Sequence, residues 1–334
     1  VKTSNLCSEI TLPTGIDKEG KDRTAVCCLS SLNLEKYDEW KDDTNFISDV
    51  MRMLDNVLTD FIEKAPESFS DATYSALKER SVGLGVMGLH SYFQQKKIPF
   101  ESVMSKVWNK KIFSNIQKQV DQASKDLADE RGPCPDAADY GINERFSNKT
   151  AIAPTASISI ICGGTSPGVE PIAANSYTHK TLSGSFNVRN KYLTEVLEKY
   201  GKNDEETWSS ITTNQGSVSH LDFLPQDEKD VFKTAFELDQ RWIVDLGADR
   251  TPHISQAQSI NIFIPADIHK KDLHQIHFQA WKKGLKSLYY CRSKSIQRAE
   301  NVNDASSTDV TANVYKSKNQ KQNQPEYEEC LSCQ

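Results

Sequence analysis

The chain has 334 residues, of which 37% are hydrophobic, with a formal net charge of -6 and a pI near 5.7. This length predicts one large domain or two ordinary ones, and an acidic balance without a long basic run argues against direct binding of nucleic acid. No apolar run approaches the ~20 residues that a membrane span needs, and no signal peptide is recognisable, so we expect a cytoplasmic protein whose eight cysteines do not form a structural disulfide framework.

The first residues contain three functional side chains at alternate positions, Asn5, Cys7 and Glu9. In an extended segment such positions share one face, so an amide, a thiol and a carboxylate would point into the same space. A second candidate thiol, Cys27, follows in the sequence AVCCLS. The alternative is a strand in which Cys7 is only a small buried hydrophobic residue.

Hydrophobic periodicity predicts an α/β architecture with mostly parallel strands. Apolar residues recur at helical spacing over 44–64, 105–130, 227–246 and 267–285. Segments rich in branched or aromatic residues predict buried strands at 151–161, 259–265 and 287–291. Because the strands and helices alternate, we expect outer helices that pack one face on a sheet.

A glycine-rich hexad, GLGVMG at 83–88, fits the GxGxxG pattern of dinucleotide-binding turns. Residues 76–80, which precede it, look like the end of a polar helix, and the nearest acidic candidate, Glu101, lies in a different setting. We therefore favour glycines that permit a tight turn and close packing. Similarly, His274 and His277 are interpreted as part of a solvated helix face, because no cluster of further metal ligands accompanies them.

The composition changes after about residue 298, where Asn, Asp, Ser, Thr, Lys and Gln dominate. We divide the chain into a folded domain, 1–297, and a flexible tail, 298–334, because such a segment buries too little apolar surface to offset its ordering entropy. The tail carries Cys330 and Cys333, a CxxC pair that can form a disulfide and exchange with an external dithiol. Tail thiols with no role remain the alternative, and zinc would need two further ligands that the sequence does not supply.

Taken in order, the motifs NLCSEI, AVCCLSSLNL, RSVGLGVMGL, APTASIS with GVEP, KSLYY and the tail cysteine pair resemble the C-terminal half of the large catalytic subunit of class I ribonucleotide reductase. The resemblance implies the C-terminal half of a ten-stranded α/β barrel with outer helices and a flexible C-terminal tail. It also implies thiyl-radical reduction of ribonucleotides, with the diphosphates favoured, to the 2'-deoxyribonucleotides used in DNA replication.

The resemblance assigns roles to the residues at the start of the chain. Cys7 matches the cysteine whose thiyl radical takes the 3'-hydrogen of the substrate, and Glu9 matches the carboxylate that accepts the 3'-hydroxyl proton. Asn5 matches the amide that hydrogen-bonds the substrate hydroxyls. Cys27, rather than Cys28, aligns with one of the two cysteines that reduce the 2'-position and end as a disulfide.

Three later groups also match functional positions of the family. Tyr289 and Tyr290 resemble the adjacent tyrosines that pass the radical to Cys7, and Cys330 and Cys333 resemble the tail pair that reduces the active-site disulfide again after each turnover. The substrate diphosphate would bind the segment formed by Thr155, Ala156, Ser157 and Ile158. Relatives often carry a hydroxyl residue where this chain has isoleucine, so one side-chain contact to the phosphates is expected to be missing.

The implied enzyme needs partners but no directly bound cofactor or metal. A metal-containing small subunit would supply the radical, thioredoxin or glutaredoxin would supply reducing equivalents, and the large subunits would form a dimer. The third active-site cysteine and the allosteric nucleotide sites belong to the N-terminal half of the family's subunit. Since that half is not in this sequence and the first residue is Val1, we expect a fragment or one piece of a split subunit.

Two other interpretations remain open. An adenosylcobalamin-dependent reductase of the same barrel type would share the thiyl chemistry, but it would not need the tyrosine pair. A non-catalytic remnant that binds the small subunit would have no need to retain the opening triplet, Cys27 and the tail cysteines together. The sequence therefore favours a class I enzyme over both alternatives.

Overall fold

The computed structural model describes residues 2–181 and 184–293, so the predicted tail with Cys330 and Cys333 lies outside the described residues. The strands are β1 (Gly15–Ile16), β2 (Asp22–Arg23), β3 (Leu29–Asn33), β4 (Gly83–Met87), β5 (Ser176–Thr181), β6 (Gly184–Arg189), β7 (Ile262–Ile264) and β8 (Cys291–Ser293). The helices are α1 (Tyr37–Trp40), α2 (Phe46–Lys64), α3 (Ser70–Glu79), α4 (Leu89–Gln95), α5 (Val103–Arg131), α6 (Pro135–Ala138), α7 (Ile158–Ile161), α8 (Lys191–Lys199), α9 (Glu205–Thr213), α10 (Gln226–Val231), α11 (Gln240–Arg250) and α12 (Lys270–Lys282).

A parallel sheet forms the centre of the fold. β3 pairs in parallel with β4, and β7 pairs in parallel with β8. Two isolated parallel bridges extend this pairing. One joins Leu84 of β4 to Thr150, and the other joins Ile152 to Gln258 in the chain before β7. Among the described residues, five parallel segments therefore follow one another in chain order, which is half the number of strands in a ten-stranded barrel.

The two faces of this sheet bury different partners. Leu84 and Val86 of β4 belong to the large core shared with the outer helices. The alternate residues, Gly83 and Gly85, point to the other face, where a Cβ added at Gly85 would lie only 2.3 Å from the Ala151 carbonyl oxygen. The glycine-rich hexad is thus a buried strand that allows a neighbouring segment to approach closely, as the packing interpretation expected, rather than a phosphate-binding turn.

The longest predicted helices are confirmed. The periodic segment 44–64 forms α2, and 105–130 forms α5, which is followed by Gly132 with a φ of +84°. The single helix predicted over 227–246 is wrong, because α10 ends at Val231 and α11 begins only after Asp239. The Asp239 carboxylate accepts the Arg241 N–H and so caps a new helix within the predicted one.

The strand prediction for 151–161 is also largely wrong. Only its first residues take part in the parallel sheet, and α7 occupies its last four. Pro154 removes a backbone donor, and Thr155 adopts a left-handed conformation with a φ of +56°, so the chain leaves the sheet at this point. The prediction for 259–265 is confirmed by β7, whereas at 287–291 the strand β8 begins only at Cys291 and is exposed rather than buried.

A separate small core lies in the long connection between the segment 150–152 and β7. Its residues include Leu193 and Leu197 of α8, Trp208 and Ile211 of α9, and Phe232 directly after α10. The strands β5 and β6 form an antiparallel hairpin nearby in the chain. Over the part of the chain that the structure describes, no helix is both long enough and apolar enough to cross a membrane.

Candidate active site

The first candidate site segment is a turn, so the extended conformation predicted for residues 5 to 9 is wrong. The Ser8 N–H donates to the Asn5 carbonyl at 3.1 Å, and Ser8 has a φ of +67°. The Asn5 side-chain oxygen accepts the Ile10 N–H at 3.0 Å, which holds the turn from its other side. Cys7 lies within this turn and is buried.

The turn is attached to the sheet by residues from the other end of the chain. The Ser259 hydroxyl donates to the Cys7 carbonyl and lies 3.0 Å from Glu9 Oε2. The Glu9 carbonyl accepts the Ala257 N–H, and the Ser8 carbonyl accepts the Ser287 hydroxyl. Cys7 and Glu9 are therefore brought together by a shared serine rather than by strand alternation.

Ser259 is a site residue that the sequence reasoning missed. It is almost fully buried, and its hydroxyl is the link between the thiol-bearing turn and the carboxylate. The available signal was a hydroxyl residue at the start of the largely apolar strand predicted over 259–265. That signal became meaningful only when the structure placed the serine beside residues about 250 positions earlier.

The tyrosine pair connects Cys7 to the protein surface. The Tyr289 side chain is hydrogen-bonded to those of both Cys7 and Tyr290, and the two tyrosine ring centroids are 4.0 Å apart at an interplanar angle of 33°. Burial, followed by these two hydrogen bonds, raises the pKa of Tyr289 above its usual range, so the phenol keeps its proton. Exposure falls from 47% at Tyr290 to 2% at Cys7, with Tyr289 intermediate.

The adjacent cysteines before β3 occupy different environments. Cys28 is buried, its thiol lies 3.9 Å from the Leu54 carbonyl, and burial raises its thiol pKa. Cys27 is exposed. The structure thus makes Cys28 a core residue and gives the accessible position to Cys27, which is the arrangement that a redox role for Cys27 would need.

The predicted diphosphate-binding segment leaves the sheet at its first residue. Thr155 is buried, and its hydroxyl accepts the Gly168 N–H at 2.7 Å. Ser157 and Ile158 are exposed, and Ala156 lines a cavity of about 660 Å³. Within the described segment, the hydroxyl of Ser157 is therefore the more accessible one for a phosphate oxygen.

The two histidines of α12 contact neighbouring residues of the same helix. The Nδ1 atom of His277 is 2.8 Å from the Leu273 carbonyl, and the ring of His274 stacks on Phe278. Across residues 2–181 and 184–293, no group of three or more His, Cys, Asp or Glu side chains is arranged to hold a metal ion.

Comparisons with known proteins agree with the parallel half-barrel. The family model described as ribonucleotide reductase, barrel domain, matches residues 1–140 and 136–291. The chain belongs to this family, which confirms the resemblance and a partial α/β barrel as the fold class.

Among the similar proteins are large subunits of ribonucleoside-diphosphate reductase. The chain is 52% identical to the ribonucleoside-diphosphate reductase large subunit of Invertebrate iridescent virus 6 over 89% of its own length and 31% of the relative's. It is 44% identical to the large subunit of Invertebrate iridescent virus 3, over 92% of its own length and 48% of that relative. A solved structure, the Actinobacillus ureae class Id ribonucleotide reductase alpha subunit, matches 87% of this chain and 53% of its own, with a TM-score of 0.80 and 39% identity. The chain thus spans about a third to a half of the length of these relatives.

Proposed function

We propose that this chain carries the hydrogen-abstracting centre of a class I ribonucleoside-diphosphate reductase large subunit. The observation that carries the proposal is the hydrogen-bonded series from exposed Tyr290 through Tyr289 to buried Cys7. Such a series suits the movement of a radical from a partner at the surface to a protected thiol. It favours a class I enzyme over an adenosylcobalamin-dependent one, which needs no relay from a second subunit.

The hydrogen bond between Tyr289 and Cys7 defines the last transfer step. A phenoxyl radical at Tyr289 takes the hydrogen atom of the Cys7 thiol, which restores the phenol and leaves the thiyl radical. The thiyl radical then removes the 3'-hydrogen of the ribose, so an S–H bond forms as a C–H bond breaks. Sulfur suits this step because the two bonds are similar in strength, which makes the transfer nearly reversible.

Glu9 and Asn5 support the chemistry at the ribose. Glu9 accepts the 3'-hydroxyl proton as the substrate radical forms, and the Ser259 hydroxyl 3.0 Å from Glu9 Oε2 steadies the carboxylate. Asn5 orients the substrate hydroxyls through its amide, whose oxygen also holds the turn at Ile10. Both side chains thus act from the same turn that carries the thiol.

Reduction at the 2'-carbon consumes two thiols. The 2'-hydroxyl leaves as water, and the two electrons come from a cysteine pair that ends as a disulfide. Cys27 is one member, and the N-terminal half of the large subunit supplies the other. Cys330 and Cys333, outside the described residues, then exchange with that disulfide and are reduced by thioredoxin or glutaredoxin.

The ribonucleoside diphosphate is placed by the segment that begins at Thr155. The Thr155 hydroxyl is engaged by Gly168, so Ser157 and backbone N–H groups of the segment are left to hold phosphate oxygens. Ile158 contributes no hydroxyl. The active assembly contains the N-terminal half, a metal-containing small subunit that generates the radical, and a dimer of large subunits, and it works in the cytoplasm.

The proposal is tested by replacing Cys7 with Ser in the assembled enzyme. Turnover should be abolished because a serine O–H bond is too strong to form the radical, while nucleotide binding stays measurable. Cys134→Ser is the matched control, since Cys134 is also buried but lies outside the site. Deoxynucleotide formation and nucleotide binding are measured for both variants, and retained turnover in Cys7→Ser would remove the thiyl assignment.

A further inference from the structure

Glu170, in the GVEP motif, is a buried acid without an assigned role. Its Oε1 atom accepts the Asn261 N–H at 3.2 Å, and the Asn261 side chain is hydrogen-bonded to the same carboxyl group. Only 6% of Glu170 is exposed. Two donors of one asparagine therefore converge on one buried carboxyl group.

Asn261 transmits this contact to the tyrosine pair. Its side-chain oxygen accepts the Tyr290 N–H at 2.9 Å. The neighbouring ladder bonds run from the Tyr289 N–H to the Ile260 carbonyl at 2.8 Å and from the Ile262 N–H to the Tyr290 carbonyl at 2.9 Å. The Tyr290 backbone is thus held by one strand, and its N–H depends on the orientation of the Asn261 amide.

Within residues 2–181 and 184–293, the cations near Glu170 do not neutralise it through hydrogen bonds. Arg250 directs its guanidinium to Gln258 and Asn109. Arg292 lies with its guanidinium carbon 5.6 Å from the centroid of the Tyr290 ring. Burial raises the pKa of Glu170 to about 7 in spite of the bonds from Asn261 and the attraction of the two arginines.

The stability of the fold does not explain why an acid is buried at this position. A buried carboxyl group that lacks an ion pair loses hydration without a matching gain, and a neutral side chain of the same size avoids that cost. A carboxylate does, however, offer acceptors on both oxygens, whereas glutamine would turn an NH₂ group toward one of the two Asn261 donors. The acid is therefore suited to fixing the asparagine in one orientation.

We propose that Glu170 is a positioning residue that locks the Asn261 amide, so that the amide oxygen holds the Tyr290 N–H and keeps the Tyr290 ring against Tyr289. This inference rests on the proposed function, because the alignment of Tyr290 with Tyr289 matters for radical transfer. Glu170 acts on Tyr290 through Asn261, and its loss disturbs the passage of the radical without changing nucleotide binding.

The test uses reciprocal exchange of donor and acceptor in the assembled enzyme. Glu170→Gln places two hydrogen-bond donors against one another, and Asn261→Asp places two acceptors against one another. Each variant should lower kcat about tenfold or more and leave KM unchanged. This loss is the equivalent of one hydrogen bond to a charged group. The double variant restores a donor opposite an acceptor, with the roles reversed, and should recover most of the lost kcat. Glu79→Gln is the matched control, since Glu79 is also buried but contacts Ser81 and Arg23 rather than Asn261.

Amide hydrogen exchange in the peptide containing Tyr289 and Tyr290 gives a second readout that does not need turnover. Each single variant should speed exchange there, the double variant should reverse the change, and Glu79→Gln should leave it unaltered. Normal kcat in Glu170→Gln, no recovery in the double variant, or unaltered exchange overturns the positioning role. If exchange follows the expected pattern while the wild-type assembly reduces no nucleotide, the positioning role stands and the proposed reductase function falls.

Discussion

Two buried acids in this molecule have opposite surroundings. Asp55, on α2, is fully buried and receives hydrogen bonds from Arg80 at 2.8 Å, Arg131 at 2.8 Å and Arg145 at 2.9 Å. Burial raises its pKa, but these bonds outweigh burial, so the carboxyl pKa lies below its usual value. Glu170 is bonded to an asparagine instead, and its pKa is raised to about 7.

This difference indicates different roles: the Asp55 cluster stabilises the fold, and Glu170 positions residues of the site. The Asp55 cluster joins α2 to Arg80 at the end of α3 and to the chain near the end of α5, far in sequence from the reactive turn. Glu170 belongs to the network around Tyr290. It has no ion pair in the part of the chain that the structure describes, and the cost of burying it is offset by alignment of the tyrosines. Changes at the first centre should affect folding, and changes at the second should affect turnover.

Tyr290→Phe should have the largest effect on turnover and almost none on folding. The variant keeps the ring that stacks on Tyr289 but loses the hydroxyl needed to form a phenoxyl radical. We expect turnover to be lost while the free energy of unfolding and nucleotide binding stay near wild type. Tyr140→Phe, at a highly exposed tyrosine, is the control, and normal turnover in Tyr290→Phe would remove the relay.

Replacing both tail cysteines, Cys330 and Cys333, with Ser should preserve a single turnover but prevent repeated turnover. The pre-reduced enzyme should still form one equivalent of product, because the active-site thiols are intact, but cycling with a protein dithiol should stop. The yield of deoxynucleotide per site, with and without thioredoxin, measures this. Steady cycling in the double variant would show that the tail thiols have no role.

Asp55→Ala should produce the largest loss of stability, about 3–5 kcal/mol, because it leaves buried arginines uncompensated. Denaturant unfolding measures the change. The contribution of wild-type Asp55 is present above the usual Asp pKa of about 4 and is lost as the pH falls through the lower folded value. Asp60→Ala, which removes only an exposed pair with Lys64, should cost under about 1 kcal/mol. Similar losses in the two variants would contradict the comparison.

Glu79→Gln should have a smaller and pH-dependent effect. Glu79 is buried beside Arg23, its Oε2 accepts the Ser81 hydroxyl, and burial raises its pKa from 4.5 to about 7. Because the folded state holds this proton more tightly, wild-type stability falls as the pH rises from about 4.5 to 7. The variant should therefore be more stable than wild type above pH 7, by up to about 3 kcal/mol. A stability difference that does not vary with pH would exclude titration of Glu79.

Local signals in the sequence located the helices better than the site. The repeated apolar spacing of α2 and α5 was enough to predict both, because each helix buries one long stripe. The break between α10 and α11 and the left-handed Thr155 depend on individual side-chain and backbone contacts that periodicity does not report.

The family motifs pointed to Cys7, Glu9 and the tyrosines as candidate site residues, but they did not report how these residues meet. The alternation of residues 5 to 9 suggested a strand, whereas contacts with Ser259 and Ser287 favour a turn. The pairing of Glu170 with Asn261 joins residues 91 positions apart, so no local pattern could reveal it. The sequence thus indicated the chemistry that we propose, and long-range packing determined the geometry of the residues involved.

The anchoring of the reactive turn has a consequence for the order of assembly. Cys7 is fixed by a residue 252 positions later, and Ser8 by one 279 positions later. Contacts between such distant residues form late in folding, after the intervening strands and helices have closed the loops between them. A nascent or partly folded chain therefore has no organised thiol beside its tyrosines. In the proposed function, Cys7 can therefore receive a radical only after these long-range contacts have formed.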